Sequence, residues 1–197
     1  MILLLPDFIG HPGCFNSILP LLHQPIQLVN YNYLTASVSL SEMATQIAAS
    51  LTELPLTILG YSFGGALGFE LAKILPDGTQ LIMIDSRFPD SVLRNIPAKE
   101  QYQRWLTPEN DLWIELLEEL GEIDKAVIMH HITLFSEWKP KGSLRNAWLI
   151  ACPTIDKKNE TRWRQHISDL RLINVNSNHH EVMLDPATHI AITALNL

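Results

Sequence analysis

A chain of 197 residues, 47% apolar and only 18% charged, can bury a core and is too apolar to stay disordered. Its net charge of −7 argues against nucleic acid as a general partner, and no apolar run approaches the ~20 residues that span a bilayer. Met1 to Leu5 has no basic flank and is soon followed by Asp7, unlike a secretory signal. The two cysteines, Cys14 and Cys152, lie far apart and form no CxxC, which disfavours a disulfide scaffold or zinc ribbon and fits a reducing, cytoplasmic setting.

In chain order, Met1–Leu5 reads as a short buried strand, Phe15–Leu22 as a helix by apolar spacing, and Ile26–Val29 as a second strand. Ser39-Leu-Ser-Glu42 fits a capping box, and Met43, Ile47 and Leu51 mark one face of the helix that follows. Leu56–Leu59 is the next strand, and the helix from Gly64 carries Leu67, Leu71 and Ile74/Leu75 until Pro76-Asp77-Gly78 stops it. Gln80–Ile84, Ala147–Ala151 and Leu170–Val175 read as further strands, and a last helix covers about Pro186–Leu195.

Strands apolar on both faces, alternating with helices, predict an α/β fold: a mostly parallel sheet of about six strands with helices on both faces. One domain over 1–197 is expected. The alternation breaks between Pro89 and Lys141, where Thr107 caps, Pro108 opens a helix, Gly121 follows its last turn, and Asp124–Phe135 reads as another helix. This helical insertion, about 89–141, holds Trp105, Trp113 and Trp138 and is placed to act as a lid. Basic residues are uneven: none precedes Lys73, and eight of fourteen fall between Lys139 and Arg171. That stretch is either a solvated face or a dock for an acidic partner.

The chemistry gathers at Gly60-Tyr61-Ser62-Phe63-Gly64. A Gly-x-Ser-x-Gly that ends a strand and opens a helix is the setting of a nucleophile elbow, with glycines where backbone passes close and a helix N-terminus beneath the serine. A serine needs a base, and the chain order in such folds is Ser, acid, His. Of eight histidines, only His179 and His180 follow the last strand in a turn-like setting. They are adjacent, so one alone can face Ser62. The acid is Asp85 or Asp156, each following a strand at the sheet edge where ligands gather, and spacing does not choose between them. Oxyanion donors are expected from the amide of Phe63 and from the loop Pro6–Gly13.

With these residues in view, the sequence resembles the thioesterases of polyketide and nonribosomal peptide synthases, within the α/β-hydrolase fold. "GYSFGGALGFELA" resembles that family's elbow and helix, "IMIDSRFP" the segment where integrated thioesterases carry the acid, and "NHHEVML" the Gly-x-His-x-x-Met-Leu ending, with Asn178 in place of the glycine. The resemblance implies Ser62, Asp85 and His180 as the catalytic set, since Met183-Leu184 brings His180 into register. It implies Phe8 as the second oxyanion amide, from "LLPDFIGHPGCF". Stand-alone members place the acid nearer Asp156; Asp85 is preferred. The implied activity is release of an acyl, polyketide or peptide chain from the phosphopantetheine arm of a carrier protein, through an acyl-Ser62 intermediate, by hydrolysis or cyclisation. The acyl or peptidyl carrier would dock on the basic stretch 139–171. Leu112, Trp113, Leu116 and Leu117 would line an acyl channel or form the lid's own core. No metal, no further cofactor and a monomeric state are expected. A carboxylesterase on small soluble esters and a non-catalytic binding protein are the rival readings.

Overall fold

The computed structural model describes residues 1–31, 34, 36–89, 95–106, 108–153 and 155–197, without the side chains at 108–111 and 113. The expected cap at Thr107 lies outside the described residues, and so does the Trp113 side chain.

Six strands form one sheet: β1 (Ile2–Leu5), β2 (Ile26–Leu28), β3 (Thr57–Tyr61), β4 (Gln80–Ile84), β5 (Leu144–Ala151) and β6 (Ile167–Asn174). Their order is β2-β1-β3-β4-β5-β6 and every pairing is parallel, as the doubly apolar strands predict. Seven α-helices are described: α1 (Leu40–Ser50), α2 (Phe63–Ala72), α3 (Ala98–Trp105), α4 (Pro108–Glu119), α5 (Lys125–Glu137), α6 (Lys157–His166) and α7 (Pro186–Ala194).

Period-two alternation splits each inner strand between two cores. Leu3, Leu5, Ile58, Leu81, Met83 and Leu149 point to the face covered by α1, α2 and α6. Ile2, Leu4, Leu59, Ile82, Ile84 and Ile150 point to the other, covered by α7 and by the chain at Phe15 and Ile18. α1 begins with half of the expected capping box: Ser39 Oγ accepts from Glu42 N–H, while Glu42 Oε2 reaches one residue further and accepts from Val38 N–H.

Three details depart from the sequence reading. Phe15–Leu22 is not one helix but is divided between two 3-10 turns, Pro12–Phe15 and Leu19–Leu21, because Pro20 supplies no N–H for an α-helical ladder. β5 and β6 each start three residues earlier than their apolar runs, since Leu144-Arg145-Asn146 and Ile167-Ser168-Asp169 pair with each other at a largely solvent-facing end. The insertion also contains α3, which carries only Tyr102 as a buried apolar side chain and so shows little hydrophobic periodicity.

The helices α3, α4 and α5 between β4 and β5 build a small core of their own from Tyr102, Ile114, Leu117, Ile123, Ile128 and Ile132. Ile9, from the loop after β1, completes it, and Phe8 packs against it. Leu117 therefore belongs to the insertion's own core, whereas Leu112 and Leu116 are exposed. No described helix is long and apolar enough to cross a membrane. Cys14 and Cys152 are both free thiols.

Candidate active site

Ser62 ends β3 and precedes α2 in a backbone conformation with φ 54° and ψ −117°, which non-glycine residues rarely adopt. The surroundings fix it on both sides. Its N–H donates to the Ile84 carbonyl at 2.9 Å, and its own carbonyl accepts from Ser86 Oγ at 2.7 Å. The two motif glycines are steric requirements: a Cβ on Gly60 would lie 2.3 Å from the Gly64 oxygen, and one on Gly64 would lie 2.0 Å from the Leu5 oxygen. A serine before a helix ordinarily caps it, but Ser62 Oγ caps nothing here.

Instead Ser62 Oγ lies 2.9 Å from Nε2 of His179, whose Nδ1 lies 2.5 Å from Oδ2 of Asp85. A carboxylate can only accept, so Nδ1 carries the proton and Nε2 is left to accept from the serine hydroxyl. Asp85 is fully buried just past β4, also at positive φ (43°), and its other oxygen accepts from Cys152 N–H at 3.0 Å. Burial alone would raise its pKa; the hydrogen bond and charge of His179, the Cys152 N–H and the Arg87 guanidinium outweigh that and hold it below the usual carboxylate value.

The histidine is a correction. The motif register selects His180, but the structure turns His180 outward, where it is exposed, and brings His179 to the serine. The cause is local. Asn178 Oδ1 accepts from the N–H groups of both His180 and Glu181, and the Asn178 carbonyl accepts from Val182 N–H. Tyr61 secures the result, donating its hydroxyl to the His179 carbonyl at 2.6 Å and stacking on the imidazole at 5.4 Å.

Of the two aspartates that spacing left open, the structure brings Asp85 to His179. Asp156 is exposed and caps α6, accepting from Asn159 N–H at 2.7 Å. That bond, ahead of its other contacts, lowers the Asp156 pKa.

Phe8 and Phe63 come together, with ring centroids 5.1 Å apart. Phe63 is the first residue of α2, where helix N–H groups lack intrahelical partners. The peptide that follows Phe8 is held at both ends: Ile9 N–H donates to Asp7 Oδ1 at 3.0 Å, and the Phe8 carbonyl accepts from His131 Nδ1 at 2.8 Å. His131 comes from α5, is fully buried and stacks on Phe63 at 5.3 Å. Neither Asp7 nor His131 was singled out from sequence, because what gives them a place is contact across the fold rather than a local pattern. Beside His179 a cavity of about 260 Å³ is lined by Asp7, Ile9, Tyr61, Trp105, Met183 and Leu184 among others. Leu112, Leu116 and Leu117 are not in its wall. Among the described residues no cluster of three or more His, Cys, Asp or Glu side chains is arranged to hold a metal.

A parallel sheet carrying a strained serine at one strand end, with acid and histidine on later connections, defines the α/β-hydrolase class of fold. Solved structures agree over nearly the whole chain. RedJ, a thioesterase from the prodiginine biosynthetic pathway in Streptomyces coelicolor, is 15% identical with a TM-score of 0.68, covering 99% of this chain and 88% of its own. The NocB thioesterase domain, solved as a covalent complex with a fluorophosphonate nocardicin G analogue, is 20% identical with a TM-score of 0.66, covering 99% and 91%. The Vlm2 thioesterase domain bound with a dodecadepsipeptide is 16% identical with a TM-score of 0.71, covering 99% and 91%. The chain thus has the fold of these thioesterases. No protein-family model and no curated protein sequence matches it.

Proposed function

We propose that this protein is a serine thioesterase that releases an acyl, polyketide or peptidyl chain from the phosphopantetheine arm of a carrier protein. The observation that carries the reading is the continuous chain Ser62 Oγ, His179, Asp85 at the sheet's C-terminal edge, with distances of 2.9 and 2.5 Å. Thioesterases that share its fold support the choice of bond.

In this mechanism Ser62 Oγ attacks the thioester carbonyl carbon as its proton passes to His179 Nε2. Asp85 keeps Nδ1 protonated and stabilises the imidazolium. The oxyanion accepts from the amides of Phe8 and Phe63. Collapse breaks the C–S bond, and His179 returns the proton to the departing thiolate. His179 then activates water, or a hydroxyl or amine of the acyl chain, to free Ser62. The chain needs no cofactor of its own for these steps.

Intact-protein mass spectrometry after exposure to a panel of acyl-thioesters tests the reading. A covalent acyl adduct on Ser62, absent from Ser62→Ala, is expected. Faster hydrolysis of p-nitrophenyl esters than of every thioester would make the protein a carboxylesterase, and no labelling of Ser62 by a fluorophosphonate would make it a non-catalytic relative.

A further inference from the structure

The cavity beside His179 contains one charged group that the proposed mechanism leaves unused. Asp7 is only 9% exposed, yet it stands in the cavity wall. One carboxylate oxygen accepts the Ile9 N–H at 3.0 Å and closes a tight turn. That turn needs an acceptor, not a charge, and Asn would serve it equally. Burying a carboxylate is costly unless a cation meets it. Among the described residues no Lys or Arg lines the cavity; the other titratable groups in its wall are His179, His180, Cys14 and Tyr61. Burial pushes the Asp7 carboxyl up to about 6, partly offset by the Ile9 N–H and by His179, so it stays largely ionised at neutral pH. Burial also holds the Cys14 thiol and the Tyr61 hydroxyl protonated.

The rest of the wall suits a cation as well. Tyr61 and Trp105 bring two aromatic side chains to a wall that also holds Ile9, Met183 and Leu184, with Asn16 and Ser17 as uncharged polar members. A buried carboxylate beside aromatic and apolar side chains is the chemistry that binds an ammonium group on a short apolar stem. At about 260 Å³ the cavity has room for an amine-bearing chain of a few carbons.

We propose that Asp7 is the specificity residue of an ammonium subsite, and that the preferred acyl group carries a free basic amine near the thioester. This rests on the thioesterase reading for the identity of the reaction, but not for the subsite itself.

The experiment compares matched thioesters of N-acetylcysteamine, each three- to six-carbon ω-aminoacyl chain against its methyl-ended isostere. The wild-type ratio of kcat/KM, amine over methyl, is expected to exceed one for at least one length. It should fall about 10- to 100-fold in Asp7→Asn, which keeps the turn acceptor and removes the charge. The same ratio, read from labelling of Ser62 by aminoalkyl and alkyl fluorophosphonates, needs no thioester turnover. A preserved labelling ratio with no thioester hydrolysis would overturn the thioesterase reading and leave the subsite standing. A wild-type ratio at or below one at every length by both readouts overturns the proposal, whatever the variant does. A ratio unchanged in Asp7→Asn and in Asp7→Ser overturns it too, leaving Asp7 as a turn residue.

Discussion

The side chain and carbonyl of Asn178 close one turn over residues 178–182, and within that turn neighbouring side chains project in different directions. His179 is thereby directed to Ser62 and His180 to solvent. His179→Ala is expected to reduce turnover by at least ~1,000-fold, while His180→Ala stays within a few-fold of wild type. Steady-state kinetics on one acyl-thioester check both, and the reverse pattern would restore the motif register. Asp85→Asn should cost ~10,000-fold, because Nδ1 loses the partner that fixes its tautomer. Asp156→Ala should remove only a helix cap and lower stability slightly, with turnover nearly unchanged. Ser62 was legible because the elbow is written in five consecutive residues. The choice of His179 was not, since it depends on a side chain-to-backbone turn that one residue of offset reverses.

The strands and the helices that cover them were legible for a related reason: their apolar runs and caps are local. The attachment of the helical insertion was not. α5 reaches back 123 positions so that His131 can hold the Phe8 carbonyl. His131 is a positioning residue, acting through the peptide beside the proposed oxyanion amide. Burial, reinforced by nearby His130 and partly offset by the Phe8 carbonyl, pushes its pKa from 6.5 down to about 4. The unfolded chain protonates this ring below about 6.5, whereas the folded ring stays neutral to about 4. Its contribution is therefore complete above pH 6.5 and is lost as pH falls towards 4, by roughly 3 kcal/mol. Asp7 works in the opposite sense: its carboxyl, raised to about 6, favours the fold as pH falls through that value. Urea unfolding of His131→Phe and wild type across pH 4–7 isolates the histidine, and the variant should show the flatter loss. It should also lower kcat about 10-fold with little change in KM, and His131→Asn, which restores an N–H to the Phe8 carbonyl, should recover part of it. Equal pH slopes in wild type and His131→Phe would mean that the ring titrates normally.

Across the whole molecule, the basic stretch 139–171 is less uniform than its sequence suggests. Arg164 pairs with Glu160 and Arg171 with Asp169, while Lys157 and Lys158 stand exposed at the start of α6. α6 follows β5 at the same sheet edge that carries Ser62. If a carrier protein docks there, Lys157→Glu with Lys158→Glu should raise KM for a carrier-bound substrate several-fold and leave a small free thioester unaffected. An unchanged KM for the carrier-bound substrate removes that dock. The sheet order has its own consequence. Ser62 and Asp85 hang from β3 and β4, which are paired on both sides, but His179 arrives from chain beyond β6, an edge strand paired only to β5. The parts of one reaction centre therefore rest on ground of unequal firmness. In mild urea, catalysis should fade while the backbone amides of Ile58, Leu59 and Gly60 still resist deuterium. A shared midpoint for both would show the edge and the centre opening as one unit. Otherwise the enzyme would go silent before it unfolds, with its nucleophile still in place.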